Sequence, residues 1–118
     1  MPTVQTYLAG ALAAVSLMAC ADSTPTATAP DTVTLEAGDL FFAPETLAVA
    51  AGEITIVLHN RGMAEHDVVI AELGDTLIVH ANPGETATGT VRLEPGTYTY
   101  YCSIPGHKAA MTGVLTAR

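Results

Sequence analysis

The sequence has 118 residues, a length typical of one domain, and 49% of them are hydrophobic, which excludes a disordered chain. Its 12 acidic and 4 basic residues give a net charge of −8, which excludes the basic footprint of a nucleic-acid-binding protein and suits a partner with a basic patch. The two cysteines, Cys20 and Cys102, lie in different sequence contexts, and we do not expect them to pair.

The chain opens with an apolar segment that has no charged side chain. Its run "YLAGALAAVSLMA" (Tyr7–Ala19) is shorter than the roughly 20 residues of a spanning helix and suits a secretory signal. The run ends in "LMAC", which resembles a bacterial lipobox whose cysteine is lipidated. We therefore expect a lipoprotein-type signal peptide over residues 1–19 and lipidation at Cys20. An ordinary cleaved signal or an uncleaved apolar anchor is the alternative.

Small polar residues and prolines follow the cysteine, and they cannot bury enough apolar surface to order themselves. This composition predicts a flexible tether over residues 20–31, followed by one domain over residues 32–118. The prediction for the whole chain is export to the periplasm or the cell surface, with attachment to a membrane through the lipid on Cys20.

Residues 32–118 contain no apolar run at helical spacing. Glycine, proline and Asn-Pro signals instead separate short runs rich in Val, Ile, Thr and Tyr. This pattern predicts an all-β fold, a small Greek-key β-sandwich of about seven to eight strands. The predicted strands are Thr32–Glu36, Thr46–Ala50, Ile54–His59, Asp67–Glu72, Thr76–His80, Ala87–Leu93, Thr97–Cys102 and Gly113–Thr116.

Alternation along two strands indicates which side chains face the core. In "TYTYYC", Tyr98, Tyr100 and Cys102 share one face, which we expect to point inward. In "HDVVI", His66 is in register with core residues at the start of a strand. We therefore expect His66 to lie half-buried at one end of the sandwich.

Three soft donors lie close together in "YYCSIPGHKAAMTG". Cys102, His107 and Met111 can turn toward one point because Pro105-Gly106 supplies a bend. A fourth donor must come from elsewhere, and His66 is the best candidate. A thiolate, two imidazoles and a long axial thioether form the blue-copper electron-transfer site.

The sequence resembles the cupredoxin family around these candidate ligands. Residues 40–62, "LFFAPETLAVAAGEITIVLHNRG", and residues 65–70, "EHDVVI", look like the stretch leading to the first histidine of that family. Residues 93–107, "LEPGTYTYYCSIPGH", look like its last hairpin. The loop spacing, Cys-x4-His-x3-Met, is similar to that of azurin and auracyanin.

The resemblance implies one copper ion with His66, Cys102 and His107 as equatorial ligands and Met111 as the axial ligand. Met63, near His66 in sequence, is a rival for the axial position. His59 and His80 precede turns, and we expect both of them at the surface.

One position departs from the family pattern. Many cupredoxins have asparagine after the first histidine, where this sequence has Asp67. A carboxylate can accept a hydrogen bond from the backbone N–H of Ser103. Its negative charge would stabilise Cu(II) and lower the reduction potential.

The expected function is one-electron transfer by copper cycling between Cu(II) and Cu(I), without enzyme activity. The electron would leave through His107 to a redox partner that docks briefly on a weakly apolar patch. We expect a monomer whose partners are cytochromes or membrane oxidoreductases, with no small-molecule substrate and no nucleic acid. The residues of the docking patch are Ile104, Pro105, Ala109 and Ala110.

Three other functions compete with this prediction. Copper delivery or storage is the first, and a fixed set of four ligands argues against it. The second is an enzyme domain like those of multicopper oxidases, which flank the cysteine with histidines where this chain has Tyr101 and Ser103. A metal-free adhesion module, the third, would leave the ligand spacing to chance.

Overall fold

The computed structural model describes Gly10 and residues 29–118. The rest of the predicted signal segment, the predicted lipidation site Cys20 and residues 21–28 of the predicted tether lie outside the described residues. Within the part that is described, no helix has the length and apolar character needed to cross a bilayer.

Short strands make up almost all of the regular structure in residues 29–118. The strands are β1 (Thr32–Gly38), β2 (Phe41–Ala43), β3 (Thr46–Val49), β4 (Gly52–Asn60), β5 (His66–Ile70), β6 (Thr76–Ala81), β7 (Thr86–Leu93), β8 (Gly96–Tyr101) and β9 (Thr112–Ala117), with one 3-10 turn at Ala71–Leu73.

The strands form two sheets. One has the order β2-β1-β4-β7 and the other has the order β3-β9-β8-β5-β6. The β1–β4 and β3–β9 pairs are parallel, and the remaining pairs are antiparallel. The chain crosses repeatedly between the sheets, and their inner faces share one core. The predicted all-β sandwich is confirmed.

Two-residue alternation builds the core, because successive side chains of a strand point to opposite faces. In β4, for example, Ile54, Ile56 and Leu58 are fully buried while the residues between them are partly exposed. Each such side chain contributes roughly 1.5–3 kcal/mol through burial. From β8, Tyr98, Tyr100 and the residue that follows the strand, Cys102, are buried as expected.

Tyr100 is the largest fully buried side chain of this core. Its hydroxyl donates a hydrogen bond of 2.8 Å to the Pro44 carbonyl, so burial leaves no unpaired polar atom. Burial, with the nearby charge of Glu45, raises the pKa of Tyr100 to about 12. The phenol therefore stays neutral and anchors the segment before β3 against β8.

Three details differ from the sequence-based predictions. The described residues contain nine strands because Phe41–Ala43 pairs with β1, a short strand that the prediction missed. Ala71 and Glu72 belong to the 3-10 turn, which ends at Gly74 in the left-handed conformation with φ 69°. The expectation of a half-buried His66 is wrong, since its exposure is 0%.

Candidate metal centre

Two imidazoles and one thiol converge at one end of the sandwich. Ligand atoms of His66, Cys102 and His107 all lie within 4.8 Å of one another. Cys102 Sγ is 3.9 Å from His66 Nδ1 and 3.7 Å from His107 Nδ1. The centroids of the two rings are 5.1 Å apart.

These separations fit a single metal ion. Bonds of roughly 2.3 Å to sulfur and 2.0 Å to nitrogen, as for zinc, hold two donors roughly 3.7 Å apart at a trigonal angle. The observed S–N distances match that value, and both Nδ1 atoms are the ones nearest the sulfur. A thiolate with two imidazoles is a donor set that suits copper.

Sheet pairing brings His66 and Cys102 together from distant parts of the sequence. β5 and β8 are antiparallel neighbours with Val69 opposite Tyr101. The start of β5 and the end of β8 therefore lie at the same end of the sandwich. His66 is the first residue of β5, and Cys102 directly follows β8.

Backbone hydrogen bonds hold the loop after β8 closed, so that Met111 returns to the end of the sandwich where Cys102 lies. The Cys102 N–H donates to the Met111 carbonyl at 3.0 Å, and the Met111 N–H donates to the His107 carbonyl at 3.0 Å. Gly106 has a positive φ of 84°, a conformation that glycine adopts without steric cost. These bonds fix the backbone of His107 and Met111 beside the cysteine.

The structure places the two methionine candidates in opposite environments. Met111 is fully buried next to Cys102 in the hydrogen-bonded loop, whereas Met63 is 88% exposed. A thioether that contributes to a buried site must itself be buried. The environment of Met111 fits an axial ligand, and that of Met63 does not.

Asp67 ties the first histidine's strand to the cysteine loop. Its Oδ1 accepts a hydrogen bond of 2.6 Å from the Ser103 N–H, and its Oδ2 accepts one from the Ser103 hydroxyl. The Asp67 N–H in turn donates to Cys102 Sγ at 3.5 Å. Three hydrogen bonds therefore hold the cysteine loop to Asp67 of β5, two from Ser103 and one to Cys102 Sγ.

The Cys102 thiol lies in a site that opposes its ionisation when no metal is bound. Burial raises the pKa of the Cys102 thiol above its ordinary value, while the backbone N–H groups of Asp67 and Ile104 act in the opposite direction. A metal ion replaces the thiol proton when it binds, and the same two N–H groups then face a thiolate.

The residues predicted to surround His107 lie on the same loop. His107 is half-buried, so part of its ring reaches the surface. Ile104 is half-buried and packs against the core cluster, whereas Pro105, Ala109 and Ala110 are exposed. His59 and His80 are half-buried in β4 and β6 and do not belong to the three-residue cluster.

Sequence reasoning missed Asp39, which contacts the outer nitrogen of the first histidine. Asp39 follows β1, and its Oδ1 lies 3.0 Å from His66 Nε2. The two residues are 27 positions apart, and no local pattern in "AGDLFF" marks the aspartate as part of a site. Only the packing of β1 beside the 60–66 segment brings them together.

Comparisons with known proteins assign the family. The family model described as a cupredoxin-like domain matches residues 10–117. The plastocyanin of Lactuca sativa is 35% identical over 92 residues, which cover 67% of this chain and 89% of the relative. The chloroplastic plastocyanin of Fritillaria agrestis is 36% identical over 92 residues that cover 67% of this chain, and the match spans 53%, about half, of that longer relative.

A solved structure gives the same result. Auracyanin A, a "blue" copper protein from the green thermophilic photosynthetic bacterium Chloroflexus aurantiacus, superimposes with a TM-score of 0.60 and 27% identity, covering 74% of this chain and 99% of that one. The chain belongs to the cupredoxin family of blue copper proteins.

Proposed function

We propose that His66, Cys102, His107 and Met111 hold the copper ion of this chain, which is a blue copper electron carrier and not an enzyme. One observation carries the assignment of ligands. Two imidazole nitrogens lie 3.9 and 3.7 Å from a buried thiol sulfur, a geometry that one metal ion fits without rearrangement. The buried thioether of Met111 beside them completes the donor set.

Bound copper supplies a one-electron couple between Cu(II) and Cu(I). The protein's part is to keep the donors in one arrangement for both states, because small rearrangement makes electron transfer fast. Asp67 and the closed 102–111 loop do this by hydrogen bonding. Full burial of His66, Cys102 and Met111 keeps water away from the donors.

The half-buried ring of His107 is the proposed route for electrons between the buried site and a partner. The exposed Pro105, Ala109 and Ala110 and the half-buried Ile104 offer a small apolar surface around it. Such a surface suits the brief, weak docking of redox proteins. We propose that a cytochrome or a membrane oxidoreductase docks there with the chain as a monomer.

We also propose that the chain is exported and anchored to a membrane through a lipid on Cys20. The support for this is the "LMAC" sequence at the end of an apolar run, followed by a tether-like composition. Incorporation of labelled palmitate into the wild-type chain, and none into Cys20→Ala, is the expected result. Equal labelling of the two chains would contradict the anchor.

Addition of Cu(II) to the purified protein tests the copper site. We expect an intense blue absorption that dithionite bleaches and ferricyanide restores, and no such absorption in Cys102→Ser, because the thiolate gives the colour. A colourless or pale wild-type product would overturn the proposed function.

A matched pair of methionine variants tests the axial ligand. Met111→Leu removes the buried thioether and should change the reduction potential and the visible spectrum, since the axial ligand tunes both. Met63→Leu makes the same chemical change at an exposed residue and should alter neither. The opposite outcome would assign the axial position to Met63.

A further inference from the structure

The nitrogen of His66 that faces away from the thiol is paired with a carboxylate. His66 Nε2 lies 3.0 Å from Asp39 Oδ1, while Nδ1 of the same ring is 3.9 Å from Cys102 Sγ. Since His66 is fully buried, its outer nitrogen depends on a protein partner, and Asp39 is the partner that the structure provides. Asp39 itself lies at the surface with a side-chain exposure of 39%.

Backbone groups hold the Asp39 carboxylate in place. The Met63 N–H donates to Oδ2 at 2.7 Å, and the Ala64 N–H donates to Oδ1 at 3.3 Å. Both oxygens of Asp39 thus accept from backbone N–H groups. An exposed aspartate is ordinarily ionised near neutral pH, and an ionised carboxylate accepts hydrogen bonds only.

A buried amide fixes the turn that presents those N–H groups. Asn60 Oδ1 accepts a hydrogen bond of 2.8 Å from the Gly62 N–H. Asn60 Nδ2 donates to the Ala64 carbonyl at 2.8 Å and to the Ala81 carbonyl at 3.1 Å. Asn60 is fully buried, so the segment between β4 and β5 is built around it, and the carboxylate is bound at a defined position.

Gly62 leaves the space that the carboxylate and the imidazole occupy. A Cβ atom at this position would collide with Asp39 Oδ1 and would lie 2.9 Å from His66 Nε2. The turn therefore admits the pair only because residue 62 has no side chain.

A carboxylate at this position determines where the proton of the neutral imidazole resides. A neutral imidazole carries one N–H and one lone pair, and an ionised carboxylate can only accept. The proton is therefore held on Nε2, which leaves the lone pair on Nδ1, the nitrogen that faces Cys102. Outer partners of this kind orient metal-bound histidines and increase metal affinity.

We propose that Asp39 is a positioning residue for the metal centre, acting through a hydrogen bond that fixes the Nε2–H tautomer of His66 and keeps Nδ1 ready to bind the ion. The inference rests on the proposed copper site for its purpose. The Asp39–His66 pairing can be tested in the metal-free protein, so its failure is separable from failure of the copper function.

The test compares Asp39→Ala with Glu65→Ala in the full-length protein. Each variant loses one exposed carboxylate. Asp39 contacts the His66 ring, whereas Glu65 precedes His66 in the sequence and lies 3.8 Å from His80 instead. Nitrogen-15 NMR of the metal-free proteins at pH 8 reports the His66 tautomer. Competition with a Cu(I) chelator reports the copper affinity.

In the wild type and in Glu65→Ala we expect one Nε2–H tautomer. In Asp39→Ala we expect the Nδ1–H tautomer to appear and the copper affinity to fall about 10- to 100-fold. An unchanged tautomer overturns the proposal, and so does a changed tautomer with an unchanged affinity. If Asp39→Ala does not fold, Asp39→Asn replaces it. A carboxamide can donate as well as accept, so it no longer favours the Nε2–H tautomer and should change both measurements in the same direction.

Discussion

At the residue scale, Asp67 brings a negative charge to the cysteine loop without breaking any hydrogen bond. Both of its carboxylate oxygens accept from Ser103, and its N–H donates to Cys102 Sγ. An asparagine could make the same contacts, with Oδ1 on the Ser103 N–H and Nδ2 on the Ser103 hydroxyl. The charge is therefore the property that distinguishes aspartate from asparagine here.

We predict that Asp67→Asn raises the reduction potential by on the order of 100 mV, because a nearby carboxylate stabilises Cu(II) relative to Cu(I). A unit charge roughly 7 Å away contributes about 2.4 kcal/mol at an effective dielectric constant of about 20, and about 2.3 kcal/mol corresponds to 100 mV. Voltammetry of the copper-loaded protein provides the measurement.

Ser103→Ala is the matched control for that variant. It removes one hydrogen bond to Asp67 Oδ2 but keeps the carboxylate and the backbone bond to Oδ1, so its potential should shift much less. An unchanged or lower potential in Asp67→Asn would contradict the role of charge.

Sequence and structure contribute unequally at this scale. The spacing of Cys102, His107 and Met111 and the strand-start position of His66 were sufficient to nominate four site residues. Asp39 could not be found that way, because its contact with His66 depends on how β1 lies beside the 60–66 segment. Full burial of His66 was missed for the same reason, since the residues that cover it come from other elements.

At the scale of elements, glycine and proline signals located most strands, but two short segments were misread. Phe41–Ala43 is too short to show a two-residue period, and its pairing with β1 makes it a strand. The apolar run before Glu72 suggested that the strand continues, but Gly74 in the left-handed conformation lets the chain turn. Local turns of this kind depend on tertiary contacts that the sequence pattern does not contain.

The Glu72 side chain takes the hydrogen-bonding place of a strand partner for Thr99 of β8, just beyond the end of β5. β5 pairs with β8 only at Val69–Tyr101 and Ile70–Tyr100, so Thr99 has no opposite residue on β5. The Thr99 N–H donates instead to the Glu72 carboxylate at 2.7 Å. This bond lowers the pKa of Glu72 below its ordinary value.

We predict that Glu72→Gln destabilises the protein at pH 7 by less than about 1 kcal/mol, because the contact is screened by solvent. A lowered carboxyl pKa stabilises the fold above the pKa of the unfolded chain, and this contribution disappears as the pH falls through the folded pKa. The difference from the wild type should therefore close between about pH 5 and pH 3.

Urea unfolding at several pH values measures this difference, and Glu53→Gln, at an exposed residue of β4, is the control. The glutamine can still accept from the Thr99 N–H, so only the charge changes. A destabilisation that persists at pH 3 would show that Glu72 acts through something other than its ionised form.

At the scale of the whole molecule, the net charge of −8 acts on every encounter with a charged redox partner. Excess charge of one sign attracts partners of opposite sign and repels those of the same sign, and dissolved salt screens both effects. The fold class and the metal chemistry could be predicted from the sequence pattern. The long-range electrostatic effect of the net charge could be predicted from composition alone.

We predict opposite salt dependences for two small oxidants of the reduced copper protein. The second-order rate constant with a cationic cobalt(III) complex should fall between 10 mM and 500 mM salt, and the rate constant with anionic ferricyanide should rise. Stopped-flow absorbance at the blue band follows both reactions. Slopes of the same sign would mean that local charges near His107 outweigh the charge of the whole chain.

The two ends of the described domain meet at one turn. The Ala50 N–H donates to the Pro30 carbonyl at 3.0 Å, and the Ala51 N–H donates to the Arg118 carbonyl at 2.8 Å. From there β1 runs seven residues, roughly 20 Å at 3.3 Å per residue, before Asp39 reaches His66. In a molecule immobilised on an electrode or a bilayer through either end of this domain, the His107 loop would face away from the surface. Attachment and electron exchange would then use opposite ends of the sandwich.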